Sequence, residues 1–393
     1  MKKRKPRILT TSEAYLPGYL AGGPIRSIAG LADSLGDDFA WAVLTSDHDF
    51  GCSAPYQNIK SAEWNAVGAT KVFYIKPGLA SYLSMLREIR MTPHEILYLN
   101  SCFSPKFSIF PLLARKLRLI PRRPVLVAPR GEFSSGAIQL KSLKKRLFLF
   151  FARMVGLHAD ANWHASTEYE RADIAREAGA AKERILVARN LVAPRRANDR
   201  FVNSGHVSDV LRVCFLSRLS RKKNLDYALS ILKDVDQPVR LSIYGPREDL
   251  AYWQECEGLI SELPENVEVV YEGGVPNEEV VDTIACHDLF FLPTRGENFG
   301  HVLLEAWSAG VPVLTSDQTP WRQLESAGVG WDIPLAEPQR FVEVIGNVSR
   351  WTSQQRSDCH SKCLAFAKGH SLDGSAIEAN RKMFFRALGS LPD

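Results

Sequence analysis

Glu297 and Glu305 enclose the seven residues NFGHVLL, and the surrounding segment, RGENFGHVLLEAWSAGVPV, has the makings of an anion site. It opens on a glycine-containing loop and then takes the apolar spacing of a buried helix that begins near Gly300 and stops at Gly310 and Pro312. The first turn of such a helix leaves backbone N–H groups unpaired at the positive end of its dipole, which suits a phosphate. Glu297 falls on the loop and Glu305 on the second turn. Alone, the two carboxylates also read as a surface acid and a helix acid with no shared task. Earlier in the chain, SRLSRKKN puts Arg218 and Lys223 on another loop, and two cations there can neutralise a diphosphate. Arg221 and Lys222 in the same run also fit a solvated basic turn.

These groups have to be held at strand ends, and the chain has the pattern to do so. Short β-branched runs alternate with stretches of helical period, as in βα units feeding a mostly parallel sheet. The first series comprises RILTTSE from Arg7, AWAVLTSD from Ala40, KVFYIKP from Lys71, EILYLNS from Glu95, PVLVAPRG from Pro124 and ANWHAST from Ala161. A segment poor in apolar residues, Ala193 to Asp209, then reads as an exposed linker. The second series comprises LRVCFLSRL from Leu211, VRLSIYGP from Val239, VEVVYEGG from Val267, DLFFLPT from Asp288 and VPVLTSD from Val311. Polar and glycine residues gather at the C-terminal ends of these strands, where open α/β sheets bind ligands.

At 393 residues the chain exceeds the roughly 250–300 over which one core keeps growing, so two domains are expected, over 1–195 and 206–370. Its 45% hydrophobic and 24% charged residues are those of an ordinary globular protein. The net charge of +5 is small, and the local basic runs suggest a surface patch, which argues against a nucleic-acid binder. Seven scattered cysteines suit reduced thiols, and Cys359 and Cys363 lack a second pair to complete a zinc site. MKKRKPRILTTSEAYLPG lacks the apolar stretch of a signal peptide, and no window is apolar enough to span a bilayer, so a cytoplasmic location is expected.

The spacing of Glu297 and Glu305, and of Arg218 and Lys223 five residues apart, resembles the retaining glycosyltransferases of family 4. AGGPIRSIAGLADSLG near the N-terminus resembles that family's glycine-rich donor-phosphate loop and first helix, so three ordered motifs carry the likeness. The resemblance implies the α/β GT-B fold, two Rossmann-like domains facing across a cleft, with residues 371–393 as a C-terminal helix crossing back to the first. It implies transfer from a nucleoside diphosphate sugar, UDP- or GDP-linked, to a hydroxyl of a glycan or lipid-linked glycan, with no metal and no further cofactor. Glu297 would contact donor-sugar hydroxyls, Glu305 the ribose, and Arg218 and Lys223 the diphosphate. Phe299 and Gly300 would place backbone amides near the phosphates, with Asn298 and His301 beside them. Gly22 and Gly23 would let the N-terminal loop approach the same diphosphate. The loops after Tyr244-Gly245 and at Gly273-Gly274-Val275 would flank the base.

Arg130 departs from the family pattern, standing where many members have a histidine. As a permanent cation it can bind phosphate or stabilise an oxyanion, but it cannot serve as a base near neutral pH. Arg130 with Gly131-Glu132 reads either as an active-site feature or as a strand end salt-bridged to Glu132. His158 and His164 read as structural. Asp47-His48-Asp49 formally matches the Asp-x-Asp of metal-dependent GT-A transferases and otherwise reads as a solvated loop; a non-catalytic sugar-nucleotide binder is a third reading. Finally, KSLKKRLFLFFARMVGL from Lys141 to Leu157 fits an interfacial amphipathic helix. Its lysines (Lys141, Lys144 and Lys145) would lie on one face, and Leu143, Leu147, Phe150, Phe151 and Met154 on the other. The same pattern fits a helix packed on the domain core with its lysines solvated; the amphipathic reading gives an expected peripheral contact with an anionic membrane.

Overall fold

A computed structural model describes residues 4–134, 142–191, 197, 209–371 and 373–389. The expected linker falls almost wholly outside them, as do Lys141 and Leu372. The chain divides into two compact units, Met1–Ala193 with Asp373–Asp393, and Pro194–Leu372.

The N-terminal unit is built on eight strands: β1 Arg7–Thr11, β2 Ala40–Ser46, β3 Trp64–Val67, β4 Thr70–Ile75, β5 Ile96–Asn100, β6 Val125–Ala128, β7 Asn162–Ala165 and β8 Ile185–Val187. Their spatial order is β3-β4-β2-β1-β5-β6-β7-β8, parallel except for β3, which runs antiparallel to β4. Alternation along the strands sorts the core into two faces. Leu9, Leu97, Leu99, Val125 and Val127 pack with Met85, Leu112, Leu149, Ala152 and Ile174 from the helices over one face. Ile8, Trp41, Ile96, Tyr98 and Leu126 pack on the other with Leu31 of helix Gly23–Ser34 and with Met383 and Phe384 of helix Gly374–Ala387. The Phe384 ring sits against Phe39, Trp41 and Tyr98 with centroids 5.4–5.5 Å apart. Asp373 caps that helix by accepting from Ser375 N, and pairs with Arg189.

The C-terminal unit has six parallel strands: β9 Leu211–Leu216, β10 Val239–Tyr244, β11 Val267–Gly273, β12 Leu289–Leu292, β13 Val313–Ser316 and β14 Gly330–Ile333. Their order is β11-β10-β9-β12-β13-β14. The chain goes outward from β9 through β10 and β11, then returns to lay β12 on the other side of β9. The strand order therefore reverses between β9 and β12, and loops leaving the carboxyl ends of that pair open a crevice. The strands β3, β8 and β14 have no counterpart in the sequence reading. β3 alternates between exposed and half-buried positions at a sheet edge, and β8 is only three residues long. β14 (GWDI) carries Asp332, which caps the turn at Gln323 and Leu324 instead of facing a core.

Candidate functional site

Arg218 and Lys223 lie on the loop after β9 and Glu297 on the loop after β12, so the reversal of strand order brings the three to one crevice. Lys223 Nζ donates to Glu297 Oε1, and the two side chains are only 16% and 11% exposed. The loops are also sewn together by their backbones. Lys222 O accepts from Arg295 N at 2.8 Å and from Thr294 Oγ1 at 3.0 Å, and Asn224 Nδ2 donates to Pro293 O at 2.8 Å. Arg295 Nε returns a bond to Asn224 Oδ1 at 2.7 Å, and Glu297 N reaches Gln318 O on the loop after β13 at 2.9 Å. Three strand-end loops thus fix where the Glu297 carboxylate points.

Burial alone would raise the pKa of Glu297, but the charges of Lys223, Lys222 and Arg218 and the Lys223 hydrogen bond outweigh it and hold the carboxyl below its usual value. Glu297 is therefore an anion near neutral pH, set in a cluster of three cations. Arg218 also pairs with Glu248 at 3.2 Å, while Arg221 is turned away in a bidentate pair with Glu255. Of the basic run, Lys222 lies nearer the site than the solvated-turn reading allowed. Its Cε stands 3.6 Å from where a side chain on Gly296 would begin.

Gly300 caps helix His301–Ser308 from the left-handed region (φ 77°), where an added Cβ would meet Leu303 Cδ1 at 3.0 Å. Phe299 and His301 are buried with their rings 4.8 Å apart, and Trp321 Nε1 donates to Phe299 O. Asn298 is half-buried on the same loop, and Glu305 is buried on the helix. Trp321 and Gln318 hold this turn from the loop after β13, and no spacing in the sequence pointed to them.

At the far side of β9, Gly245 N bonds Gly273 O at 2.7 Å, joining the two loops expected around a base; Val275 follows, half-buried. A Cβ on Gly245 would lie 1.8 Å from Ser217 O, and its φ of 127° is one that side chains rarely adopt. Tyr271 Oη donates to Gly245 O at 2.9 Å, and Arg247 stacks over the Tyr271 ring at 4.0 Å. Burial raises the phenol of Tyr244 to about 12, so it stays protonated, its ring against His287.

The other expected site residues belong to the N-terminal unit. Gly22 (φ 69°) caps helix Gly23–Ser34, with Pro24 in its first turn. Arg130 ends β6 in a left-handed turn (φ 55°) with its guanidinium committed: it donates to Asn100 Oδ1 at 2.8 and 3.1 Å, Asn190 Oδ1 at 2.5 Å and Tyr98 Oη at 2.7 Å. This departs from the salt bridge expected between Arg130 and Glu132. Glu132, its supposed partner, instead accepts from Ser101 Oγ and Cys102 N. Behind it, His164 bonds Tyr98 Oη at 2.7 Å and Ala188 O at 2.8 Å, and burial pulls its pKa down to about 3. His158 is likewise depressed by burial, to about 4. Both histidines are neutral parts of the fold.

Asp47 and Asp49 also serve the fold. Asp49 accepts from the backbone of Tyr19 (2.8 Å), Leu20 (3.1 Å) and Phe50 (2.8 Å), tying down the loop that leads to Gly22. Asp47 accepts from Ser61 Oγ and from His48 Nδ1, each at 2.9 Å. Both carboxylates are nearly buried, which corrects the solvated-loop reading.

Residues 198–357 match the model of the glycosyl transferases group 1 family. The chain is 24% identical over 295 residues, 73% of its length and 77% of the relative's, to an "uncharacterized 41.2 kDa protein in cps region" of Klebsiella pneumoniae. Among solved structures it is similar to Anabaena Alr3699/HepE in complex with UDP-glucose (TM-score 0.70, 17% identity, covering 97% of this chain and 98% of that one). It is also similar to WaaG, a glycosyltransferase involved in lipopolysaccharide biosynthesis (TM-score 0.65, 15% identity, 98% and 100%). The two parallel-sheet units thus form a GT-B fold, the GT-A alternative falls with it, and the segment matched by glycosyl transferases group 1 is the one that carries Arg218, Lys223, Glu297 and Glu305.

Proposed function

We propose that the protein is a retaining glycosyltransferase that moves a sugar from a UDP- or GDP-linked donor to a hydroxyl of a glycan or lipid-linked glycan, in the assembly of a bacterial surface polysaccharide. The observation that carries this reading is the buried Lys223–Glu297 pair at the β9/β12 crevice, flanked by Arg218. As a glycosidic bond to a diphosphate breaks, negative charge grows on the leaving oxygens. Arg218 and Lys223 and the amides at Phe299 and Gly300 stabilise that charge more in the transition state than before it. Glu297, kept anionic by its neighbours, accepts hydrogen bonds from donor-sugar hydroxyls and orients the ring. Glu305, on the buried helix, holds the ribose.

In this reading side-chain cations and amides do the electrostatic work, and no metal or further cofactor takes part. Asp47 and Asp49 are already committed to holding loops, which supports this. The cps-region relative supports a polysaccharide acceptor. The test is a panel of nucleotide sugars with acceptor glycans, read by NMR for released nucleoside diphosphate and for the anomer formed, with and without excess EDTA. Product with the donor's anomeric configuration in EDTA is expected. An inverted product, or loss of transfer restored only by manganese or magnesium, would overturn the mechanism.

A further inference from the structure

Large apolar side chains are unevenly distributed over the surface of this molecule. Among the described residues the C-terminal unit exposes only Val210 and Leu250. On the N-terminal unit, exposed leucine, methionine and phenylalanine gather on three helices packed over a single face of the sheet, Ala80–Met91, Phe110–Lys116 and Ser142–Met154. Helices Gly23–Ser34 and Gly374–Ala387, which pack over the opposite face, carry none of the exposed large hydrophobics.

Helix Ser142–Met154 is the clearest case. It packs on the core through Phe148, Leu149 and Ala152. Leu143, Leu147, Phe150, Phe151 and Met154 fall at i, i+4, i+7, i+8 and i+11, one stripe on the opposite side, and all five are exposed (Leu143 79%, Phe150 61%, Met154 67%). This differs from the sequence expectation in one respect. Lys145 points inward, over the Phe103 ring at 5.2 Å, so the outward apolar stripe is bordered by exposed Lys144 and Arg146. The neighbouring helix adds exposed Leu113 and Leu117, and Lys116 Nζ lies 3.7 Å from where a side chain on Gly156, just past the first helix, would begin. A contiguous exposed apolar stripe of this kind marks an interaction surface.

The charge indicates what the cover is. Residues 96–157 hold twelve lysines and arginines against one acid, Glu132, and that acid is bonded internally to Ser101 and Cys102. The whole chain carries only +5, so the rest is net acidic. No helix among the described residues is long and apolar enough to cross a membrane. Of these cations Arg115 pairs with Asp160 and Arg130 is bonded inward, but exposed Lys144 and Arg146 border the apolar stripe, and that pairing complements a surface of anionic headgroups over acyl chains, where phenylalanine and leucine enter the boundary and cations meet phosphate.

We propose that this three-helix layer is a docking face for an anionic lipid surface, with helix Ser142–Met154 as the inserting element. The inference rests on surface composition and stands whether or not the donor chemistry proposed above is correct. The experiment floats the full-length protein with vesicles of phosphatidylcholine alone and of phosphatidylcholine with phosphatidylglycerol, at low and high salt, with light scattering on the free protein. The proposal expects a monomer that binds the anionic vesicles and releases as salt rises. Reversing Lys144 and Arg146 to glutamate should weaken binding at least about tenfold. Phe150→Gln with Met154→Gln should weaken it similarly at unchanged circular dichroism and melting temperature, since both side chains are exposed. Equal binding to both vesicles, binding to neither, wild-type binding by both double variants, or a dimer that those variants break apart would each overturn it. The last outcome would assign the face to a second copy of the chain.

Discussion

Lys223 and Glu297 lie seventy-four positions apart in sequence, yet they meet because β12 returns to the side of β9 opposite β10. Removing one partner of a largely buried pair strands the other charge and costs about 3–5 kcal/mol, whereas removing both costs much less. Lys223→Met should therefore destabilise more than the double variant Lys223→Met/Glu297→Gln, measured by urea unfolding at neutral pH. Both should lose transfer by about a hundredfold or more, the scale of one oxyanion-hole donor. A double variant no more stable than the single would mean that the pair is not desolvated as described.

Acid should act through buried groups of predictable sign. His164 is held neutral, with a folded pKa of about 3 against 6.5 when free. Its contribution is complete above 6.5 and declines as pH falls from there towards 3, because the unfolded chain binds the extra proton. Glu297 is depressed in the folded state, so its contribution is present above 4.5 and is lost as pH falls through the folded value. Unfolding from pH 6 to 4 should be less pH-dependent in His164→Gln than in wild type by about 1.4 kcal/mol per pH unit. Identical slopes would place the imidazole in water.

Two glycines should respond in opposite directions. Gly245→Ala puts a Cβ 1.8 Å from Ser217 O at a left-handed φ and should cost about 3 kcal/mol or more, opening the β10 end. Gly258→Ala, within helix Leu250–Ser261 with nothing within 4 Å, should stabilise by about 0.5–1 kcal/mol. Melting temperatures of the two variants check both signs.

Most of the strands and all three loop motifs were legible because strand runs and glycine-ended loops are local patterns. The order of strands is not local, so the crevice between β9 and β12 could not be read from spacing. The same limit explains Arg130. Its partners Tyr98 and Asn100 come from β5 and Asn190 from the loop after β8, and nothing in PVLVAPRG indicates that the guanidinium turns inward. Asp47-His48-Asp49 looked solvated because its acceptor role depends on backbone amides of Tyr19 and Leu20, which a sequence displays only as residue types. Helix Ser142–Met154 was legible as amphipathic, but which stripe faces the core depended on Phe148 and Leu149 finding the sheet.

Arg130 therefore makes a separable prediction. Arg130→Met leaves the acceptors of Asn100 and Asn190 without their donor, and should lower stability by about 2–4 kcal/mol. Nucleotide affinity of the folded variant should stay within about threefold of wild type, well short of the tenfold that 1.4 kcal/mol represents. Calorimetric titration well below its melting temperature separates the two effects. A large affinity loss at unchanged stability would restore Arg130 to the substrate.

The central claim is that the β9/β12 crevice holds the diphosphate of a nucleotide donor, and calorimetric titration with UDP, GDP and the matching monophosphates tests it most directly. The account predicts that one of the diphosphates binds, and that its monophosphate binds at least about tenfold more weakly, because two cations and the helix amides meet the second phosphate. It also predicts that Arg218→Met and Lys223→Met each remove most of that preference. Equal affinity for mono- and diphosphate, or a preference unchanged in both variants, would contradict it.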